Sequence, residues 1–202
     1  MSRAGSRAKA PRRAPPPAPG GGAWLDVALI AIAVAAAYAN TLRVPFILDD
    51  YASIRENPLI YHWQGIGALW RANPMRSLTY LTFALNHRLG GFDPLIYHLT
   101  NLKIHVLAGL ALYGFARGAL RAPRLAGAVP AQVRRWLPVT AALIFVLHPL
   151  QTQAVTYIVQ RLASLVALGY FVSLAAYVQA RLSPPGPRRA LWAGLCVASM
   201  LL

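Results

Sequence analysis

The sequence predicts an all-α protein, a polytopic bundle of transmembrane helices. Hydrophobic residues make up 57% of its 202 residues and charged residues only 12%, against about a quarter charged in an ordinary soluble domain. The apolar residues form runs that approach the length of a membrane-spanning helix, and basic residues cluster between these runs. Orientation in a bilayer therefore explains the formal charge of +15, and we predict no nucleic-acid partner.

The first part of the chain changes abruptly from basic to apolar. Residues 1–22 carry five basic and no acidic side chains, and we predict a disordered cytoplasmic tail. Residues 24–42 are apolar except for Asp26, and they are predicted to open a transmembrane domain over 23–202 as its first membrane helix. Ala37-Tyr38-Ala39 has the form of a signal-peptidase site, so cleavage there is an alternative interpretation of this run.

A long loop, residues 43–93, contains most of the acidic side chains of the chain: Asp49, Asp50, Glu56 and Asp93. Within it, Asn73-Pro74 is a helix-start signal and Gly90-Gly91 a helix-stop signal. Between them, four leucines share one helical face, and Arg76, Tyr80 and His87 share the other. This pattern predicts an amphipathic helix on the membrane surface, and a helix of a small soluble subdomain is the alternative.

Four later apolar runs predict the remaining membrane helices, at about 94–116, 136–150, 162–180 and 190–202. The last run is too short to cross a bilayer, so we expect the sequence to be the N-terminal part of a larger membrane protein. The basic loops alternate with the long acidic loop. This alternation predicts a multi-pass protein of the cytoplasmic (inner) membrane, with a cytoplasmic N-terminus and with loop 43–93, His148 and Arg161 on the non-cytoplasmic side.

The second predicted membrane helix carries a polar stripe of His98, Asn101 and His105, spaced i, i+3 and i+7. Such a stripe seldom faces lipid. Hydrogen bonding to neighbouring helices is the favoured interpretation, and ligand binding, for example in a transporter, is the alternative. The two histidines lie two turns apart without an evident third ligand, so we predict no metal site here.

Four sequence blocks together resemble one known family. They are FILDDYASIRENP (46–58), RSLTYLTFALNHRLGG (76–91), YHLTNLKIH (97–105) and ALIFVLHPLQTQAVTYIVQRLASL (142–165). In this order and spacing, the blocks are similar to the membrane half of the transmembrane-and-tetratricopeptide-repeat O-mannosyltransferases and their bacterial relatives. The resemblance covers most of residues 44–180.

This resemblance implies a membrane glycosyltransferase with the C-type fold. It further implies transfer of a mannose-like sugar from a polyprenyl-phosphate donor to a hydroxyl acceptor, expected to be a protein Ser or Thr. The reaction is expected on the non-cytoplasmic face, where the protein also contacts membrane lipid. In such enzymes an acidic residue at the outer end of the first membrane helix acts as general base or positions the acceptor, and this role falls on Asp49 or Asp50. A buried carboxylate beside a second one has its pKa raised towards the working range. A divalent metal at the pair is an alternative, but no cofactor is expected.

A departing lipid phosphate needs positive charge, which a guanidinium supplies with a fork of donors. Arg76 and Arg161 lie in the family-like blocks and are the predicted phosphate ligands, together with His148. The alternative for each arginine is a lipid-headgroup anchor or an ion pair with Asp49 or Asp50.

The chain also departs from the family pattern. Animal members have Arg-Pro-Leu-Thr where this chain has Arg76-Ser77-Leu78-Thr79, and they have acids at the positions of Gln153 and Ala163. Sugar and acceptor specificity are therefore not transferred, and the region alone is not expected to be active. The alternative function is a non-catalytic membrane scaffold that anchors downstream tetratricopeptide repeats.

Overall fold

The computed structural model describes residues 22–62 and 65–200, and it confirms the predicted all-α fold class. The described residues form ten α-helices and no strand: α1 Ala23–Ala37, α2 Pro58–Tyr61, α3 Ile66–Ala72, α4 Ser77–Gly90, α5 Pro94–Ala119, α6 Pro123–Ala126, α7 Ala131–Leu147, α8 Gln151–Thr156, α9 Arg161–Leu182 and α10 Pro187–Ser199. Short 3-10 helices lie at Ala39–Arg43, Pro74–Arg76 and Ile158–Gln160, and a π-helical turn lies at Tyr51–Arg55. The basic tail predicted over 1–22 lies outside the described residues, apart from its last glycine.

The helix α5 is the central element of the bundle and packs against α1, α7 and α9. It begins where the Asp93 side chain accepts a hydrogen bond from Leu95 N at 3.0 Å, with Pro94 at its first position. Its 26 residues span about 39 Å at 1.5 Å per residue. The sequence predicts that this helix ends at about residue 116, whereas in the structure it ends three residues later, at Ala119.

Among the described helices, two are long and apolar enough to cross a membrane by length and composition: α5 and the segment Ile158–Leu182, which includes α9. The sequence predicts four complete crossings. The first predicted crossing, residues 24–42, is only partly α-helical, because α1 has 15 residues and the chain passes into a 3-10 helix after Tyr38. The hydroxyl of Tyr38 donates to Val146 O at 3.1 Å. The third, α7, has 17 residues and includes Arg134, Arg135 and Pro138.

The helix α4 begins and ends close to the sequence signals. Leu85 and Leu89 on its leucine face are 47% and 77% exposed, whereas Thr79, Phe83 and Asn86 are buried against the rest of the protein. The leucines therefore face away from the bundle, as the surface-helix interpretation requires. The helix also packs on α2 and α3, so contact with a membrane remains a prediction.

The bundle has two polar ends separated by apolar packing. At one end Asp26 near the start of α1 meets Tyr113 of α5 and Arg135 of α7. At the other end the loop after α1 meets the start of α9, where Val159 N donates to Asp50. The buried apolar residues Ile30, Val34, Tyr38, Tyr113, Val139, Ala142, Val146 and Val155 form one core cluster, and Phe46, Ile54, Ile60, Phe83, Tyr97 and Ile158 form a second.

Candidate functional site

The two adjacent aspartates after α1 have different surroundings. Asp50 is 1% exposed, and its oxygens accept hydrogen bonds from Ile47 N at 3.1 Å and from Val159 N at 2.8 Å. Burial raises the pKa of Asp50 above its usual range, and the carboxylate of Asp49 adds to this, while the two N–H groups act in the opposite direction. Asp50 therefore connects the loop to the segment before α9 through Oδ1, and its Oδ2 closes the turn of the loop itself.

Asp49, in contrast, is exposed. The residue before it, Leu48, has φ of 45°, in the left-handed region that non-glycine residues seldom adopt. The backbone N–H of Asp49 donates to the hydroxyl of Tyr157 at 2.9 Å, which ties this turn to a residue 108 positions later. The turn leaves the side chain of Asp49 on the wall of a cavity.

This cavity has a volume of about 780 Å³ and a polar and an apolar part. The polar part includes Asp49, Ser53, Arg76 and Gln160, and the apolar part is formed mainly by one face of α9. The α9 residues on the wall are Leu162, Ala163, Val166, Ala167, Tyr170 and Phe171. Their spacing follows the helical repeat, so the apolar wall runs along α9 for about 14 Å.

The structure brings two of the predicted site residues, Asp49 and Arg76, to the same cavity. Arg76 is exposed and closes the 3-10 helix that precedes α4. Within the described residues it forms no ion pair with either aspartate, since the one ion pair found there joins Asp26 and Arg135. Its guanidinium donors therefore remain accessible to a ligand in the cavity.

Arg161, also predicted to bind a phosphate, is 0% exposed and does not line this cavity. Its guanidinium donates to Asn101 Oδ1 at 2.7 Å, Thr82 Oγ1 at 3.0 Å and Tyr97 O at 2.9 Å, and it lies 4.4 Å from the ring centroid of Phe83. The side chain therefore joins α4, α5 and α9 from inside the bundle. A ligand in the cavity would meet Phe83, which covers the guanidinium, and not the guanidinium itself.

The polar stripe of α5 is buried and internally hydrogen bonded. His98 Nε2 donates to Val44 O at 2.8 Å and His105 Nε2 to Val146 O at 3.0 Å, since a carbonyl oxygen only accepts. Asn101 donates to the carbonyl oxygens of Val155 in α8 and of Ile158 before α9, and it accepts from Arg161. None of the three side chains lines the cavity, so the geometry favours the structural interpretation of the stripe.

His148 follows the end of α7 and is exposed. Its Nδ1 accepts a hydrogen bond from Leu150 N at 3.3 Å, which stabilises the turn before α8. The side chain is not part of the cavity wall. The structure thus separates His148 from Asp49 and Arg76.

Metal-ligating residues are dispersed over the part of the chain that the structure describes. Residues 22–62 and 65–200 contain no group of three His, Cys, Asp or Glu side chains placed to hold a metal ion. At the aspartate pair, the oxygens of Asp50 are engaged by backbone N–H groups. Among the described residues that line the cavity, Asp49 is the acidic one.

Sequence reasoning missed Tyr157, the residue that holds the backbone of Asp49. It lies within the family-like block 142–165, in which His148 and Arg161 are the predicted site residues. A tyrosine at the start of a membrane helix is a recognisable signal, because its hydroxyl seeks a partner when the ring is packed. The partner itself, 108 residues earlier in the chain, is not visible in the sequence.

Comparison with curated proteins finds relatives of one kind. The chain is 29% identical over 204 residues to the protein O-mannosyl-transferase Tmtc3 of Drosophila melanogaster, covering 88% of the chain and 22% of the fly protein. It is 28% identical to TMTC3 of Mus musculus, covering 77% of the chain and 17% of the mouse protein. It is 29% identical to TMTC1 of Homo sapiens, covering 86% of the chain and 20% of the human protein. No protein-family model and no solved structure matches the chain.

These similarities confirm the resemblance predicted from the four sequence blocks. They extend over most of the chain, and the relatives named all carry the same protein name. The chain spans about a fifth of the length of these relatives.

Proposed function

The chain is a relative of the transmembrane-and-tetratricopeptide-repeat protein O-mannosyl-transferases, and we propose that it forms the acceptor-activating part of a membrane glycosyltransferase. The proposed reaction moves a mannose-like sugar from a polyprenyl-phosphate donor to a Ser or Thr hydroxyl of a protein. The observation that carries this proposal is the shared cavity, which places an accessible carboxylate and an accessible guanidinium beside an apolar wall.

In this reaction Asp49 is the general base. The acceptor oxygen forms a bond to the anomeric carbon of the sugar, its proton passes to the Asp49 carboxylate, and the bond from that carbon to the phosphate oxygen breaks. A positioned carboxylate contributes about 10²–10⁴-fold to such a step. Asp49 suits this role because it faces the cavity, whereas Asp50 is buried behind it.

Arg76 stabilises the departing polyprenyl phosphate. A guanidinium offers several donors in a fixed plane and matches phosphate oxygens well. Arg76 lies on the same cavity as the base, so its guanidinium is available to the negative charge that develops on the departing phosphate. Arg161 supports the site indirectly by holding Phe83, which forms part of the cavity wall. His148 has no role in this proposal.

The apolar face of α9 accommodates the first part of the polyprenyl chain. Val166 and Tyr170 are 53% and 60% exposed, so the cavity opens along the side of the helix. In a membrane, that side is accessible to lipid without passage through water. A lipid-linked donor therefore reaches the polar end of the cavity from within the bilayer.

We propose that the protein lies in the cytoplasmic membrane and that its N-terminus faces the cytoplasm. The polar end with Asp49 and Arg76 then faces the non-cytoplasmic side. The positive charge of the loops supports this orientation. The proposal requires no metal ion, because a single carboxylate acts as the base.

The proposal is tested with membranes from cells that express the full-length protein, a labelled polyprenyl-phosphate mannose and a Ser/Thr-containing peptide. Asp49→Asn is expected to lower transfer at least about 100-fold, and Arg76→Gln about 10²-fold. Glu56→Gln and Arg71→Gln are matched controls, because both residues are exposed in the same loop and lie outside the cavity wall. Undiminished transfer by Asp49→Asn would remove the catalytic role and leave the non-catalytic scaffold as the interpretation.

A further inference from the structure

Two segments that are far apart in sequence are joined at the candidate site. Residues 47–50 of the loop after α1 meet residues 157–159, which connect α8 to α9. Asp49 N donates to the Tyr157 hydroxyl at 2.9 Å, and Val159 N donates to Asp50 Oδ1 at 2.8 Å. The two bonds run in opposite senses, since each segment supplies one backbone donor and one side-chain acceptor.

The joined loop contains the strained residue Leu48. A leucine with φ of 45° is less stable there than a glycine, so surrounding contacts must maintain this conformation. The side chain of Leu48 is 78% exposed and contributes little packing. Local hydrogen bonds from Asp50 N to Ile47 O at 2.9 Å and from Ile47 N to Asp50 Oδ2 at 3.1 Å close the turn. The hydrogen bonds of the two aspartates to 157–159 add long-range contacts that hold it against the rest of the bundle.

Tyr157 is well placed to fix one side of this turn. Its neighbour Ile158 is 0% exposed and belongs to the second apolar core cluster, so the backbone at this point is anchored. Tyr157 is half-buried and does not line the cavity, whereas Val159 and Gln160 do. Its hydroxyl thus reaches the backbone of Asp49 from behind the cavity wall.

From these contacts we propose that Tyr157 is a positioning residue for the carboxylate of Asp49, an inference that rests on the proposed function. Tyr157 acts by accepting the Asp49 N–H, which sets the direction in which the next bond, from Cα to Cβ, leaves the backbone. A catalytic carboxylate displaced by about 1 Å loses much of its effect on the rate. Removal of the hydroxyl therefore slows the chemical step and leaves donor binding in place.

The variant Tyr157→Phe tests this role because it removes one oxygen and keeps the ring. We expect kcat for mannosyl transfer to fall about tenfold, with KM for polyprenyl-phosphate mannose changed less than about twofold. Tyr177→Phe is the matched control, since Tyr177 lies on α9 away from the site and is 55% exposed. An unchanged kcat for Tyr157→Phe would overturn the inference.

A double-mutant cycle separates positioning from a general structural effect. If Tyr157 acts through Asp49, then Tyr157→Phe has no further effect on the residual rate of Asp49→Asn. Equal fold-losses in both backgrounds would contradict the inference. Asp49→Asn with full activity would instead refute the proposed function itself, so the two failures are distinguishable.

Hydrogen exchange gives a readout that does not depend on activity. In the unmodified protein, the Asp49 amide is expected to exchange slowly, and in Tyr157→Phe it is expected to exchange at least about tenfold faster. Amides of α5, such as that of Ala108, serve as the internal reference because they are buried in the bundle in both proteins. Rapid exchange of the Asp49 amide in the unmodified protein would overturn the inference even if the variant fails to fold.

Discussion

Leu48 has an unusual backbone conformation directly before the proposed base. Its φ of 45° is unfavourable for leucine by about 1–2 kcal/mol, and asparagine tolerates this region better. We expect Leu48→Asn to raise the free energy of unfolding by about 0.5–1 kcal/mol and Leu48→Ile, which is β-branched, to lower it by about 1 kcal/mol. Unfolding in detergent, followed by tryptophan fluorescence, measures both changes.

The control for this pair is Leu150→Ile. Leu150 is similarly exposed, at 80%, and has an ordinary φ of −63°. Leu150→Ile is therefore expected to change the free energy of unfolding by less than about 0.5 kcal/mol. Equal losses for the two isoleucine variants would show that the conformation of Leu48 is not the cause.

Asp50 is expected to make stability depend on pH. Its folded-state pKa is raised, chiefly by burial, so the folded protein holds this proton more tightly than the unfolded chain does. The associated stability is present below about pH 4, the ordinary range of an aspartate, and is lost as pH rises through the raised pKa. The contribution of Asp50 to the thermal unfolding midpoint should therefore fall as pH rises above about 4. Asp50→Asn should remove this contribution, so the difference between the midpoints of the unmodified protein and the variant should change with pH. Glu56→Gln, at an exposed acid of the same loop, should leave the pH dependence of the midpoint unchanged.

At the residue scale, the sequence allowed candidate site residues to be chosen by chemical type, but it did not show their environments. Asp49 and Arg76 do share a cavity, as their common predicted side of the membrane allowed. The difference between the adjacent aspartates was not predictable, because it depends on the N–H of Val159, 109 residues after Asp50. The burial of Arg161 was not predictable for a similar reason: its partners, among them Asn101 and Thr82, lie 60 or more positions away.

At the scale of single elements, periodicity predicted α5 and its buried stripe because the 3.6-residue repeat is a local property. The apolar run also predicted the start of α5 at about residue 94, where the structure shows a cap formed by Asp93 and Pro94. The end of α1 was less predictable. Its apolar run continues past Tyr38, and the change to a 3-10 helix accompanies a hydrogen bond to Val146 of another helix.

Close packing of α5 against α7 depends on Gly109. A Cβ added at Gly109 would collide with Cγ1 of Val146, so the two helices approach more closely there than an alanine allows. We expect Gly109→Ala to lower the free energy of unfolding by about 1–3 kcal/mol, the usual cost of overpacking. Unfolding in detergent, measured as for the Leu48 variants, gives the value.

Gly114 of the same helix provides the matched control. A Cβ at this position has nothing within 4 Å, so Gly114→Ala is expected to be neutral or to stabilise α5 by up to about 1 kcal/mol. The double variant Gly109→Ala, Val146→Ala should recover part of the free energy of unfolding lost in Gly109→Ala, because it removes Cγ1 of Val146. Equal effects of the two glycine substitutions would argue against close helix contact at Gly109.

At the scale of the whole molecule, polar networks close both ends of the bundle. Arg161 joins α4, α5 and α9 at the end that contains the candidate site. At the opposite end, Asp26 joins α1 to α5 through Tyr113 and to α7 through Arg135. Each network connects helices that are distant in sequence, so together they fix the relative positions of the helices whose loops form the cavity.

The network at the far end from the cavity is expected to contribute to the stability of the whole bundle. Asp26 accepts two hydrogen bonds of 2.9 Å from Arg135 and one of 2.7 Å from Tyr113, and its side chain is 7% exposed. Arg135→Gln leaves this carboxylate buried without its cation, which costs about 3–5 kcal/mol for a fully buried pair. The side chain of Arg135 is 34% exposed, so we expect a smaller loss of about 2 kcal/mol.

The reason for this loss is testable by removing the other charge as well. Asp26→Asn combined with Arg135→Gln leaves two neutral amides that still hydrogen bond, and we expect it to recover most of the free energy of unfolding lost in Arg135→Gln. Arg181→Gln, at an exposed arginine near the end of α9, is the control and should have little effect. An additive loss in the double variant would mean that the buried carboxylate is not the source of the instability, because only an unpaired charge predicts recovery when both charges are removed.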